Sequence, residues 1–448
     1  MGSYEKIFKA YDVRGIVPDE LDEDVAESVG AAFVRLTGAP SVVTVHDMRT
    51  SSRPLAEAFA RGATSQGADV IEGGLGSTDV LYYASGSLGM PGAMITASHN
   101  PAKYNGIKLC REGARPVGRD TGLIELRDMA AQGLPPYHGT PGVVVQRDLL
   151  SGYASHLKKL VDLSAIRPLK VAVDAGNGMA GHTVPKVFEG LPITVVPLYF
   201  ELDGTFPNHE ANPIDPQNLR DLQRAVIDSG ADIGLAFDGD ADRCFVVDER
   251  GAVVSPSVLT ALIAVRELAR EPGAAVIHNL ITSRAVPEII TEHGGIPIRT
   301  RVGHSFIKAR MAETGAVFGG EHSGHFYFRD FWYADSGMLA ALHVLAALGE
   351  QDAPLSDVLA GYGRYVATGE LNSEVADQAE ATARVRAQFA SRPGVTFDEL
   401  DGLTVTGDGW WFNLRPSNTE PLLRLNLEAS DEDTMLRLRD EVLGIVRG

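Results

Sequence analysis

The chain has 448 residues, 44% of them hydrophobic, with 59 Asp and Glu against 40 Lys and Arg, a net charge of −19. That apolar content supports a sizeable core and excludes a disordered chain, and the acidic balance argues against nucleic-acid or anionic-membrane binding. At about 150 residues per domain the length suggests about three domains, and any anionic substrate must be held against an unfavourable overall field.

Along the chain, strands alternate with helices. SVVTVHDMRTSS from Ser41, KVAVDAGNGMAG from Lys170 and AAVIHNLITSR from Ala274 each read as a strand, a polar loop and the start of a helix. A helix stopped by Gly and followed by a short apolar strand recurs in ARGATSQGADVIEGG from Ala60, AVIDSGADIGLAFDGD from Ala225 and IITEHGGIPIRTRVG from Ile289. Glycine supplies the left-handed cap, and each β-branched run predicts a strand buried on both faces. Three similar α/β domains with mixed, mostly parallel sheets follow.

Periodicity lapses at Gly133–Gly142, around Glu249–Ser255, and near Tyr365 after the helical run SGMLAALHVLAALGE. The remainder reads as a helix, a strand pair around Trp410–Trp411, the loop RPSNTEP and a closing helix, which predicts a smaller α+β domain. The expected domains are 1–145, 146–254, 255–365 and 366–448. The N-terminal MGSYEKIFKAYDVRG has no apolar signal core, and no stretch approaches the ~18 apolar residues of a membrane span. A soluble protein of the reducing cytoplasm is expected. Cys110 and Cys244 exclude a disulfide scaffold and read as buried, unreactive thiols.

Four motifs carry chemistry. In ITASHNPAKYNGIKL, Ser98 stands between Thr96 and His99 ahead of Lys108. It reads as a turn or cap residue, or as a serine that carries a phosphoryl group; the G-x-S-x-G elbow of acyl transfer is absent. In DGDADR, Asp238, Asp240 and Asp242 alternate after the apolar strand IGLAF. Three bunched anions at that spacing can converge on a hard divalent cation, Mg²⁺ if phosphate oxygens complete the shell. An EF-hand is excluded because Arg243 stands where its turn needs Gly.

In GGEHSGHF, Glu321, Ser323 and His325 alternate and would face one way if extended, a set suited to sugar hydroxyls. A zinc site of His304, His322 and His325 is the rival, without the H-E-x-x-H order. RPSNTEPLLR combines Arg415, Ser417, Asn418, Thr419 and Arg424, donors suited to a phosphate or a plain Pro-bounded turn. DAGNGMAG holds a literal G-x-G-x-x-G (Gly176, Gly178, Gly181), so an NAD-dependent dehydrogenase is the alternative from another class, although tight packing explains the glycines equally well. A noncatalytic scaffold is a third reading.

TASHNP (Thr96–Pro101), DGDADR (Asp238–Arg243), GEHSGH (Gly320–His325) and RPSNTEP (Arg415–Pro421) occur in the order and spacing of the α-D-phosphohexomutase superfamily. The resemblance covers the whole chain, including KAYDVRG (Lys9–Gly15), and is strongest to the bacterial phosphomannomutase/phosphoglucomutase branch. It implies four domains around a central cleft, three related α/β domains and a C-terminal domain of the TATA-binding-protein-like type. It further implies a phosphoserine at Ser98 and Mg²⁺ held by Ser98, Asp238, Asp240 and Asp242, with Arg243 beside the transferring group and His99 supporting the serine. Lys108 and His325 become acid/base candidates. Tyr11 and Arg14 would lie near the cleft, His304, Glu321 and Ser323 would bind the sugar, and Arg415, Ser417, Asn418, Thr419 and Arg424 would hold the non-reacting phosphate.

The implied reaction interconverts hexose 6-phosphate and hexose 1-phosphate through a hexose 1,6-bisphosphate, in a monomer or weak homodimer. Two departures stand out. Ile281 in NLITSR occupies the place of a lysine found in some dual-specificity members, and GEHSGH replaces their GEMSGH and the GEQSGH of phosphoglucosamine mutases. The second favours mannose and glucose phosphates over glucosamine phosphate. The positive charge that matters is expected to gather in the cleft, at Arg14, Lys108, Arg243, Arg415 and Arg424.

Overall fold

The computed structural model describes residues 2–417 and 422–448, and within these all side chains except those of residues 2, 3, 304 and 305. Four sheets organise the described residues. In the first, the strand order is Val13–Ile16, Tyr104–Arg111, Gly92–Ile95, Ser41–His46, Asp69–Leu75 and Val144–Gln146. The second runs Val253–Val254, Cys244–Asp248, Ile233–Phe237, Leu169–Asp174, Ile193–Leu198. The third runs Ala334–Asp335, Phe326–Phe328, Phe318–Gly320, Ala275–Asn279, Ile296–Thr300.

These three sheets share one plan. A central strand (Ser41–His46, Leu169–Asp174, Ala275–Asn279) has parallel neighbours on both sides. One neighbour (Gly92–Ile95, Ile233–Phe237, Phe318–Gly320) then turns back into an antiparallel strand. TASHNP, DGDADR and EHSGH are the turns of these three equivalent hairpins. Each therefore sits at the carboxyl end of a parallel strand, where open α/β sheets bind ligands.

The fourth sheet is antiparallel throughout: Val366–Glu374, Leu422–Ala429, Trp410–Pro416, Leu403–Gly407, Thr396–Asp398. Helices Gln378–Ala390 and Glu432–Arg447 pack on it, and Val385, Phe389, Leu438 and Val442 help close its separate core. By contrast one continuous core runs through the first three domains, from Val43 to Leu359. The fourth domain meets the third through a cluster of Leu280, Ile281 and Trp411, with Glu428 accepting from the Arg284 N–H at 3.0 Å and the Trp411 indole at 2.9 Å, and through Arg299 to Asp398 and the Val302 N–H to Asp401, both at 3.1 Å. Ile281 thus fills an apolar contact between domains.

Two expectations shift. Burial on both faces holds for Ile233–Phe237, whereas Asp69–Leu75 and Ile296–Thr300 are partly exposed. Ile296–Thr300 is an edge strand, and Asp69–Leu75 is covered on one side only by the short exposed strand Val144–Gln146. That last strand pairs with Val70–Glu72, so the first sheet extends past the Gly133–Gly142 break to Gln146. The helices do end at left-handed glycines, Gly67, Gly230 and Gly294. Cys110 and Cys244 are buried and unpaired.

The helix Gly337–Gly349 is buried on every side, and His343 within it stacks on Phe328 at 5.2 Å. Burial, with Arg266 and Arg270 nearby, pushes His343 down to about 3, and burial pushes His278 down to about 4. Both stay neutral in the fold while the unfolded chain protonates near pH 6.5. Their stabilising contribution is therefore complete above about pH 6.5 and is lost as pH falls towards these folded values, by a few kcal/mol for each. Thermal unfolding midpoints should drop between about pH 7 and pH 4, and His343→Met should shrink the drop. An equal drop in the variant would contradict this assignment.

Candidate active site

The Ser98 loop is built by local bonds and one arginine. Ser98 has φ +50, and its N–H donates to Thr96 Oγ1 at 2.9 Å. Arg49, 3% exposed, donates to four carbonyls of the loop: Ser98 at 2.9 Å, Asn100 at 2.6 Å, and Pro101 and Tyr104 at 3.0 Å. Asp47 pairs with it at 3.3 Å, and Phe206 of the second domain covers its guanidinium at 5.0 Å. Sequence reasoning missed Arg49. Its signal was an arginine in the polar loop after a central strand, in HDMRTSS. Arg14 donates to the Asn100 side chain at 2.5 Å.

The second hairpin meets this loop directly. Asp238 Oδ2 accepts from Ser98 Oγ at 2.8 Å and from Arg243 Nε at 2.9 Å. A Cβ on Gly239 would lie 2.4 Å from the Ser98 carbonyl oxygen, so only glycine permits this approach. Asp240 Oδ2 accepts from Thr78 Oγ1 at 2.6 Å and from Lys108 Nζ at 2.7 Å, and Lys108 also donates to Asp242 at 2.6 Å. Oxygens of the three buried aspartates lie within 4.8 Å of one another, and Asp240 Oδ1 and Asp242 Oδ1 are buried without a hydrogen-bond partner.

The electrostatics follow from crowding. Burial, resisted by Arg243 and aided by the other two aspartates, pushes Asp238 up to about 6. Burial opposes charge on Asp240 too, but Lys108 outweighs it and holds the carboxyl below its usual range; Lys108 is raised in return. Three carboxylates face two cations, with two bare oxygens left over. This donor set, all hard oxygen, fits a divalent cation.

The third hairpin is a tight turn, not an extended run: the Glu321 N–H donates to the His325 carbonyl at 3.0 Å and that of Gly324 to the Glu321 carbonyl at 3.1 Å. The Glu321 carboxylate accepts from the Gly303 N–H at 3.1 Å and the Tyr327 hydroxyl at 2.8 Å, with Ser323 Oγ at 3.4 Å. His325 Nδ1 lies 3.2 Å from Asp335 and 3.9 Å from Asp242. Burial disfavours its charge, but Asp242 and Asp335 prevail and raise it. His322 lines a different cavity beside Trp411, so the described residues do not assemble a zinc site with it.

A cleft of about 330 Å³ joins the three hairpins. Tyr11, Arg14, Ser98, His99 and Lys108 line it from the first domain, Asp242 from the second and His325 from the third. His99 touches Ser98 Oγ at 3.2 Å, and burial with Arg243 and Arg14 nearby pushes it well below its usual range. The described lining carries Lys9, Arg14 and Lys108 against Asp12, Asp242 and Asp335. The expected excess of positive charge is therefore absent from that lining: its cations are matched one for one by carboxylates.

Arg415 and Arg424 face each other across neighbouring strands and share Glu370, at 3.6 and 3.2 Å. Both Nε atoms are buried without a hydrogen-bond partner, which suits an anion. Ser417 closes this hairpin by donating its N–H to the Leu422 carbonyl at 2.8 Å. Asn418, Thr419 and the His304 side chain lie outside the described residues. None of the described lining of the cleft comes from this fourth domain. The glycines of the G-x-G-x-x-G pack closely, with Cβ positions 2.7 Å from Gly239 O for Gly178 and 2.2 Å from Phe200 O for Gly181. Close backbone packing thus accounts for Gly178 and Gly181.

Family models of phosphoglucomutase/phosphomannomutase alpha/beta/alpha domains I, II and III match residues 5–129, 151–251 and 256–365, and that of the C-terminal domain matches 370–445. The chain belongs to the phosphoglucomutase/phosphomannomutase family. It is 41% identical over 444 residues to the "Phosphohexose mutases" of Xanthomonas campestris pv. campestris, across 98% of this chain and 99% of that one. It is 40% identical over 445 residues to a phosphomannomutase of Escherichia coli K12, across 97% of each. A phosphoglucomutase/phosphomannomutase family protein from Burkholderia thailandensis matches its fold with a TM-score of 0.90 at 34% identity, over 99% of this chain and 97% of that one. The four-domain plan of the phosphoglucomutase/phosphomannomutase family thus accounts for the four sheets, and the dehydrogenase reading is set aside.

Proposed function

We propose that this enzyme is a phosphohexomutase that interconverts hexose 6-phosphate and hexose 1-phosphate, with mannose phosphate preferred and glucose phosphate accepted, through a phosphoserine at Ser98 and a hexose 1,6-bisphosphate. The observation that carries the reading is the Ser98 hydroxyl 2.8 Å from Asp238, within a trio of buried aspartates that has two bare oxygens. Mg²⁺, held by Asp238, Asp240, Asp242 and the Ser98 phosphoryl group, would draw negative charge from the transferring oxygens.

The protein's own groups do the rest. The hexose hydroxyl forms a bond to the phosphorus on Ser98 as the P–Oγ bond breaks, and His325 takes the hydroxyl proton. Ser98 Oγ leaves beside the Asp238–Arg243 pair, where a cation held by the trio would offset its charge, and is the nucleophile of the return transfer. His325 then gives its proton to the sugar oxygen that has lost its phosphoryl group. Lys108 fixes Asp240 and Asp242. Arg415 and Arg424, with Ser417, Asn418 and Thr419, would hold the non-reacting phosphate once the fourth domain closes on the cleft; its separate core supports such movement. Glu321, Ser323 and His304 would bind the sugar, with Tyr11 and Arg14 near it in the cleft.

The same reading places the enzyme in the cytoplasm as a monomer or weak homodimer; no helix among the described residues is long and apolar enough to cross a membrane. The test is kcat/KM for mannose, glucose and glucosamine 1-phosphates with Mg²⁺ and a trace of hexose bisphosphate. Mannose phosphate should lead and glucosamine phosphate trail. Fastest turnover of glucosamine phosphate would shift the assignment to a phosphoglucosamine mutase.

A further inference from the structure

His325, Asp335 and Lys308 form a line from the cleft into the third domain. His325 lines the cleft, with Nδ1 3.2 Å from Asp335 Oδ2. The other oxygen of Asp335, a residue 3% exposed, lies 2.6 Å from Lys308 Nζ. Lys308 is 4% exposed on the helix His304–Thr314, and its ammonium sits 4.1 Å from the centre of the Tyr82 ring. It is the last lysine of the chain and does not line the cleft.

Burying an ion pair costs several kcal/mol per ion, and apolar side chains of similar volume often hold a fold as well or better. This pair therefore calls for a purpose beyond packing. Asp335 itself lines the cleft, and of the two other cleft-lining side chains that the pair touches, Tyr82 and His325, the imidazole is the one able to carry a proton near neutral pH. We propose that Lys308 and Asp335 are positioning residues for the acid–base step: they fix the His325 ring by Nδ1 and present Nε2 to the sugar hydroxyl. The proposal rests on the reading of His325 as the proton carrier.

Each member has a distinct task. Asp335 accepts the Nδ1–H in both protonation states of the ring, which sets the tautomer with a free Nε2 lone pair. Lys308 keeps that carboxylate charged: burial works against the charge, and Lys308 with His325 more than offsets it. Asp242 Oδ1, 3.9 Å from Nδ1, is the competitor. Without Asp335 the ring would be drawn to a carboxylate of the aspartate trio and the tautomer would be lost.

The test compares Asp335→Asn, Lys308→Met and Lys308→Arg with His325→Ala and the double variant His325→Ala/Asp335→Asn. Asp335→Asn should lower kcat about 10²-fold with KM changed less than about threefold, the scale on which the orienting partner of a functional histidine is felt. Lys308→Met should follow it, and Lys308→Arg, which keeps the charge, should recover much of the loss. The double variant should be no slower than His325→Ala alone, because both act through one ring. Full additivity, or near-normal kcat in Asp335→Asn, would overturn the proposal. If Lys308→Met fails to fold, Asp335→Asn and Lys308→Arg decide it. Normal activity in His325→Ala would instead remove the proton-carrier reading, and this inference with it.

Discussion

Ser98→Ala is expected to lower kcat/KM for hexose phosphate interconversion by about 10⁴-fold or more, the scale of losing a covalent nucleophile. The structural cost should be small. Alanine keeps the Cβ and the backbone of the loop, which Arg49 holds through four carbonyls. Asp238 Oδ2 loses one donor and retains Arg243 Nε. A single lost hydrogen bond is worth about 1 kcal/mol, so the unfolding temperature should move by no more than a few degrees. A coupled assay beside a melting curve separates the two effects. An Ser98→Ala enzyme with a tenth of normal activity would rule out the serine as phosphoryl carrier.

The second large effect concerns the aspartate trio. Three buried carboxylates face Lys108 and Arg243, with two of their oxygens lacking a hydrogen-bond partner. Divalent cation should relieve that repulsion, stabilise the fold by about 2.7 kcal/mol at a hundred times Kd and raise the melting temperature accordingly, the gain growing with the logarithm of cation concentration. EDTA should reverse the shift and reduce activity to background, and added Mg²⁺ should restore both. Asp242→Asn removes one of the two bare oxygens, so it should abolish most of the thermal response and cost about 10²-fold or more in kcat/KM. A variant that still melts later with Mg²⁺ by the wild-type amount would place the cation elsewhere.

The four motifs were legible in the sequence because their chemistry is local: a serine between donors, alternating aspartates, an arginine-bounded loop. Their common structural address was not. TASHNP, DGDADR and EHSGH share no residue pattern, yet they turn the same hairpin in three sheets of one strand order. Alternation misled at Glu321, Ser323 and His325, where the chain makes a turn and period-2 reasoning has no purchase. Arg49 and Thr78 were invisible because their partners are backbone carbonyls 49 to 55 residues away and an aspartate 162 residues away. Ile281 read as a missing charge and proved to be an apolar contact with Trp411.

Net charge was the least informative number. The value of −19 suggested a repelling surface around a positive cleft. In the structure Lys108 and Arg243 are each spent on aspartates, and Arg415 and Arg424 share Glu370. On the proposed function, attraction of a phosphorylated sugar would then depend on cation held at the trio and on closure of the fourth domain, and less on the bare field of the protein.

In the proposed reaction Ser98 carries the phosphoryl group. The most direct test is single turnover with the phosphorylated enzyme, followed by mass analysis of the peptide that contains Ser98. One phosphoryl group is expected on Ser98, lost on mixing with mannose 1-phosphate as an equal amount of bisphosphate appears. An unmodified Ser98 in fully active enzyme, or a phosphoserine that survives turnover, would contradict it.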